Sequence, residues 1–341
     1  MRMKKVNARQ ILSRLRAAWP KRKKRRTGKT GARRKIRLIL LVLNLLLLGG
    51  GAIWYAFQPQ ERQEEVRFLC RNYFARNRDI SLPELAFDIW NIYYGRGFVA
   101  CDYGPGQDPV YGGLPQQIET GATAGLRVFR NQGYVVGYDE IRRTPVWVAY
   151  RLFDVQEEPQ RSERPESFQV DKRSLAKVRS EDYTGSGFDR GHLAPNYGIA
   201  RCYGPQAQEE TFLMTNIVPQ RHAFNAGIWK TLEMREAVNF PGRCREIWVL
   251  TGPVFLNSPA RELPSGLPVP DAFFKIMFDE QEGRVRSLAF LFDHNADAKR
   301  PLADFLCSID QIEELTGMDF CPQLPEAVQR ELESQVSTRC W

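Results

Sequence analysis

Histidine is scarce in this chain: there are three in 341 residues, at 192, 222 and 294. Imidazole is the side chain best matched to proton transfer near neutral pH, so these three positions exhaust its places for that chemistry. Acidic residues are absent from residues 1–37, which hold seventeen Lys and Arg with a dense run over 21–26. Charge of either sign is absent from Leu38 to Gln60. Cysteine is absent before Cys70. None of the seven (Cys70, Cys101, Cys202, Cys244, Cys307, Cys321, Cys340) falls at metal-ligand spacing, which argues against a zinc site. No internal repeat is apparent.

The uncharged stretch is also a Leu-rich run. Residues 38–57, interrupted mainly by Asn44 and Gly49-Gly50-Gly51, would span about 30 Å as a helix, the thickness of a hydrocarbon core. Trp54 and Tyr55 sit near its end, where amphipathic aromatics favour the interface. The basic flank predicts a cytoplasmic N-terminus with the rest of the chain across the membrane. No small-x-small site follows the run, since Ala52 precedes bulky Ile53 and Trp54, so an uncleaved anchor is expected. A basic, acid-free N-terminus also fits a mitochondrial presequence. The net charge of +9 belongs to the tail: without it, 32 basic residues face 40 acidic ones, a net −8. The tail suits anionic lipid headgroups.

What is present is concentrated in one stretch. Asp189-Arg190-Gly191-His192 crowds an acid, a guanidinium and an imidazole around a glycine. His192 suits a general base, Arg190 offers a fork for phosphate oxygens, and Asp189 can orient one of these groups or pair with Arg190. Gly191 permits a backbone that a side chain would obstruct. Downstream, Thr215-Asn216-Ile217-Val218-Pro219-Gln220 reads as a short strand ending in a turn. Residues 224–233 then read as a loop entering a helix, with Asn225 a helix N-cap and Ile228, Trp229 and Leu232 at helical spacing. Ideal α geometry offsets Asn225 and Glu233 by about 80° and roughly 12 Å. A hydrated hard cation such as Mg²⁺ can bridge that gap.

These segments, with Trp229-Lys230-Thr231-Leu232-Glu233, resemble the DNA/RNA non-specific endonucleases that carry the ββα-metal motif, including endonuclease G. Trp147-Val148-Ala149-Tyr150, Leu250-Thr251-Gly252-Pro253, residues 269–275, 289–293 and 312–317 extend the likeness over roughly 125–335. The resemblance implies His192 as general base and Asn225 as direct ligand of one Mg²⁺ (Mn²⁺ as a substitute). Glu233 would hold metal-bound waters, Asn216 would position the site, and Arg190 would stabilise charge on the phosphorane. Arg164 is the candidate for a second arginine, and His222 and His294 are expected to be structural. The products would carry 5′-phosphate and 3′-hydroxyl ends. Of the cysteines, Cys307–Cys340 resembles a bridge in secreted relatives, and Cys70–Cys101 would staple the N-terminal extension; an extracytoplasmic domain favours disulfides.

The expected fold is α+β, an antiparallel sheet flanked by helices, because runs such as 134–138, 146–151 and 247–251 read as strands. The expected organisation is a cytoplasmic basic tail (1–37), a transmembrane helix (38–57), an extension and loop (58–124) and a nuclease domain (125–341). Within the extension, 66–78 and 82–94 read as helices, and 102–116 as a Gly/Pro-rich loop; whether it serves as lid, stalk or packing element is left open. Expected partners are DNA and RNA, drawn in by Arg190, Arg201, Arg221, Arg235 and the metal, together with the membrane and a second copy in a homodimer. No small organic cofactor is expected. The expected location is the bacterial periplasm, with the mitochondrial intermembrane space as the alternative. A non-catalytic nucleic-acid-binding protein and a hydrolase of another phosphodiester are the competing readings.

Overall fold

A computed structural model describes residues 29–75, 80–95, 97–118, 125–156 and 163–341, with side chains described from residue 35 onward. Most of the basic tail lies outside these residues. Two compact units are present, Met1–Pro59 and Gln60–Trp341.

In the first unit, helix α1 (Lys29–Ala56) runs unbroken through Gly49-Gly50-Gly51. Its 22-residue segment Lys35–Ala56, of mean hydropathy 2.3, is long and apolar enough to cross a membrane. Asn44, the polar interruption, donates its side-chain N–H to the Leu40 carbonyl at 2.7 Å, so its amide is paired along the helix.

The second unit begins with α2 (Gln60–Phe74) and α3 (Leu82–Tyr94). Ser81 and Glu84 form a reciprocal capping box at the start of α3, and Gly95 ends it in the left-handed conformation. Leu69, Ile80 and Leu85 join the pair through a small apolar cluster. Buried polar ties fix it to the main body: Arg243 makes two 2.6 Å bonds to Asp88, Asn72 donates to the Gly242 carbonyl at 2.7 Å, and Arg284 pairs with Glu65. The extension is thus a packing element.

The body is built on an antiparallel sheet. Its strands are β1 (Val99–Ala100), β3 (Leu126–Asn131), β4 (Tyr134–Asp139), β5 (Thr144–Phe153), β8 (Glu246–Val254), β9 (Ala272–Gln281), β10 (Arg284–Asp293) and β11 (Leu306–Cys307). They lie in the order β1-β10-β9-β8-β5-β4-β3, with β11 also on β10. Short β2 (Gln116–Gln117) pairs with β12 (Met318–Asp319), and β6 (Asp189–His192) with β7 (Ile217–Gln220), outside the main sheet.

Side chains alternate across the pleat, and both faces are covered. Phe273 and Met277 of β9 join Tyr134, Tyr150 and Val249 against a helix over 222–244. Phe274, Ile276 and Phe278 point the other way, with Trp147 and Leu250, against α7 (Ile309–Thr316) and α8 (Glu326–Ser334). Burial on both sides is why β9 reads as a nearly continuous apolar run. Within that run Lys275 is fully buried and bonds Glu236 and the Tyr150 hydroxyl, each at 2.8 Å, and buried Asp279 pairs with Arg286.

All seven cysteines are free thiols, so neither expected bridge is formed. Cys307 packs in the cluster on the α7/α8 face, whereas Cys340 packs against the cluster on the other face. Cys70 lies with the α2–α3 cluster, while Cys101 lies in the α7/α8-side core, its thiol 4.0 Å from the Tyr111 hydroxyl.

Candidate active site

Two strands and a helix build the site. β6 and β7 pair antiparallel, with Gly191 opposite Val218 and His192 opposite Ile217. The turn after β7 leads into α6, a helical stretch over 222–244 that is kinked at Gly227. Two short helices, α4 (Asn196–Tyr203) and α5 (Pro205–Glu210), follow β6. The chain turns from β7 into α6 under the control of His294, a buried residue whose Nε2 accepts the Arg221 N–H at 2.8 Å while Nδ1 faces the Pro270 carbonyl at 2.7 Å. That pair of bonds requires the neutral tautomer with its proton on Nδ1, and burial lowers the pKa accordingly. Gly191 is needed for space rather than for an unusual φ, since a Cβ there would lie 2.2 Å from the buried Gln220 side chain.

Asn225 is not an N-cap. It has helical φ/ψ of −59° and −52°, inside α6, and residues Asn225–Trp229 form a π turn with Gly227 at φ −100° and ψ −110°. A π turn holds one residue more than an α turn. That residue absorbs about 100° of rotation and the non-helical Gly227 kinks the axis, so Asn225 and Glu233 leave the ideal offset of about 80°. Both residues line one cleft of about 310 Å³, together with Arg164, Arg190, His192 and Lys230.

His192 lies against the rings of Phe168 and Phe212, at centroid distances of 5.4 and 4.8 Å. Burial, reinforced by the Arg164 charge, pushes its pKa down to about 3, so the imidazole is neutral. Its Nε2 is buried without a hydrogen-bond partner. The His192 carbonyl accepts the Trp229 indole N–H at 3.3 Å, which ties β6 to α6. Glu233 also keeps an unpartnered buried oxygen, Oε1, and burial raises its pKa to about 7 despite the nearby Lys275 charge.

Asn216 is fully buried and does not line the cleft. Its amide accepts the Ala194 N–H at 2.8 Å and donates to the Ala194 and Thr211 carbonyls, holding the chain that follows His192. Asp189 does not pair with Arg190. One oxygen, Oδ2, meets both Asn225 Nδ2 and His222 Nδ1 at 2.9 Å. A carboxylate demands the amide nitrogen of Asn225, so the amide oxygen is the atom left to meet a cation. Arg190 instead donates through Nε and Nη2 to the Ser180 carbonyl, at 3.2 and 2.6 Å. Arg164 stacks on Phe212, its guanidinium carbon 5.4 Å from the ring centre. Arg201 is a correction: it is buried and donates to the Val155 carbonyl at 3.0 Å, so it belongs to the scaffold. Sequence reasoning assigned no role to Lys230, an exposed cation on the cleft wall, although its spacing three residues before Glu233 is a signal for a shared helix face.

The arrangement offers an unprotonated base, two unpartnered buried polar atoms and three cations around an open cleft. The family model for DNA/RNA non-specific endonucleases matches residues 116–327. The chain belongs to that family. Among its relatives, human mitochondrial endonuclease G is 30% identical over 57% of this chain and 69% of its own length. A nuclease of Nostoc is 29% identical over 61% and 77%. The mitochondrial nuclease EXOG of Xenopus laevis is 28% identical over 56% of this chain, and the chain spans only 57% of that relative's length. The crystal structure of the EndoG/EndoGI complex matches with a TM-score of 0.54 at 22% identity, over 66% of this chain and 93% of that one, a likeness of fold. The endonuclease family region begins at β2 and takes in every residue placed at the cleft.

Proposed function

We propose that the chain is a metal-dependent endonuclease that hydrolyses phosphodiester bonds of both DNA and RNA. The observation that supports this most is His192, held neutral with an unpartnered Nε2 in a cleft lined by cations and by Asn225 and Glu233. His192 takes the proton of the attacking water at Nε2. Arg190, fixed by Ser180, and Arg164, braced on Phe212, neutralise charge growing on the phosphate. Lys230 meets a neighbouring phosphate. The orphaned Glu233 oxygen and the Asn225 amide oxygen fit a hydrated Mg²⁺, Asn225 binding directly and Glu233 through water; Mn²⁺ suits the same oxygen donors. When bound, the ion supplies charge neutralisation at the scissile phosphate and the leaving 3′ oxygen. The products are 5′-phosphate and 3′-hydroxyl ends. Contacts confined to phosphate and sugar discriminate little between bases, which suits both polymers.

α1 anchors the protein in a membrane, with the basic tail on the cytoplasmic side and the nuclease region across the bilayer, in a periplasm or an intermembrane space. The activity is tested by digesting plasmid DNA and RNA with the full-length chain in Mg²⁺, in EDTA, and as His192→Ala. Cleavage of both polymers, abolished by EDTA and reduced about 10²- to 10⁴-fold by the substitution, is the expected result. Intact nucleic acid from the folded protein would shift the reading to a binding protein or to another phosphodiester.

A further inference from the structure

On the face of the sheet opposite the cleft, α7 and α8 bring three carboxylates together. One oxygen each from Asp310, Glu313 and Glu333 lies within 4.8 Å of the others. Asp310 and Glu313 are one turn apart on α7, and Glu333 arrives from α8. Glu333 is 6% exposed, and its Oε1 is buried with no hydrogen-bond partner. Glu313 accepts the Phe320 N–H at Oε1, 2.7 Å away, a single bond that leaves lone pairs on both oxygens for an ion. Among the described residues, no ion pair reaches any of the three. Burial and the neighbouring acids, Asp319 included, raise Glu313 to about 7 and Glu333 to about 8.

We propose that Asp310, Glu313 and Glu333 bind a hard divalent cation, Ca²⁺ by preference, at a site separate from the His192 cleft. The donors are carboxylate oxygens, with no nitrogen or sulfur, which selects Ca²⁺, Mg²⁺ or Mn²⁺ over zinc or copper. Oxygens within 4.8 Å of one another can share a Ca²⁺ bonded at 2.3–2.6 Å, whose opposite ligands stand about 5 Å apart. Mg²⁺ demands near-ideal octahedral geometry and keeps several waters, so a dedicated set of three carboxylates suits it less well than Ca²⁺. Asp310 is exposed, giving the ion an entry path and room for water ligands. The ion would clamp α7 to α8 and hold the segment at Phe320, where β12 joins β2.

Calorimetric titration of the full-length chain with CaCl2 tests this, on wild type, Glu333→Gln and Asp310→Asn. Wild type should bind one more Ca²⁺ than either variant and should melt a few degrees higher with the ion. Glu333→Gln should melt no lower than wild type in EDTA, because a neutral amide avoids the cost of holding a buried carboxyl beside other acids. Asp310 is exposed, so its substitution reads the site should Glu333→Gln misfold. Mg²⁺-dependent cleavage should be the same in all three. Equal Ca²⁺ stoichiometry and equal melting shifts in wild type and Asp310→Asn would overturn the proposal. The stoichiometry is independent of cleavage, so failure of the nuclease reading would be seen separately.

Discussion

At the scale of single residues, protonation state sets what the cleft can do. His192 is neutral because burial and Arg164 lower its pKa to about 3, whereas Glu233 is raised to about 7. A lowered imidazole pKa keeps the base available as pH falls, while a raised carboxylate pKa costs Glu233 its charge below about 7. With Mg²⁺ at saturation the second effect is suppressed, so kcat should hold from pH 8 down to 5, through the ordinary histidine range near 6.5. A pH profile of kcat at saturating Mg²⁺ checks this; an acid limb centred at 6.5 would show His192 titrating as in water. The cluster around His192 was legible in the sequence because chemistry-bearing residues are adjacent there. The partner of Asp189 was not: Arg190 is its neighbour in sequence, but Asn225 and His222, more than thirty residues on, meet its oxygen in space. Burial of Arg201 was equally hidden, since an arginine on a short helix looks the same whether it faces solvent or the Val155 carbonyl.

At the scale of elements, periodicity did well where burial is regular. α3 occupies the very residues its apolar pattern marks, and β4, β5 and β8 lie on the β-branched and aromatic runs. The first of the two π turns in α6, Asn225–Trp229, left no such mark, because Ala226 and Gly227 carry no apolar period that could reveal an extra residue; the second spans Arg235–Asn239. The disulfide reading failed because sequence spacing is blind to which face of a sheet a cysteine packs on. The joint between α6 and β9 rests on Lys275 and Glu236, both wholly buried, with Tyr150 donating to the same carboxylate oxygen at 2.6 Å. Lys275→Met should destabilise the fold by about 3–5 kcal/mol, because Glu236 is left as a buried charge with the Tyr150 hydroxyl but no cation beside it. Adding Glu236→Gln should recover much of that loss. Urea midpoints of the single and double variants measure it, and a double variant as unstable as the single would show that packing dominates.

At the scale of the whole molecule, one long apolar helix precedes a unit whose extension is locked on by buried ion pairs. The full chain should therefore sediment with membranes after carbonate washing, whereas residues 60–341 should stay in the supernatant. Recovery of the full chain in the supernatant would remove the anchor. The order of the family region was legible from about residue 125 onward because its segments keep their spacing, whereas its start at β2 was read as loop; spacing is also what the cleft demands. The wide turn over Asn225–Trp229 makes length, as well as composition, a constrained quantity there. Deleting one residue from it would leave a better-formed α-helix, yet swing Glu233 by about 100° away from Asn225. A more regular helix would thus make a poorer enzyme, and a change in the residue count of that turn is expected to lower activity even where Asn225 and the buried Ile228 and Trp229 are kept.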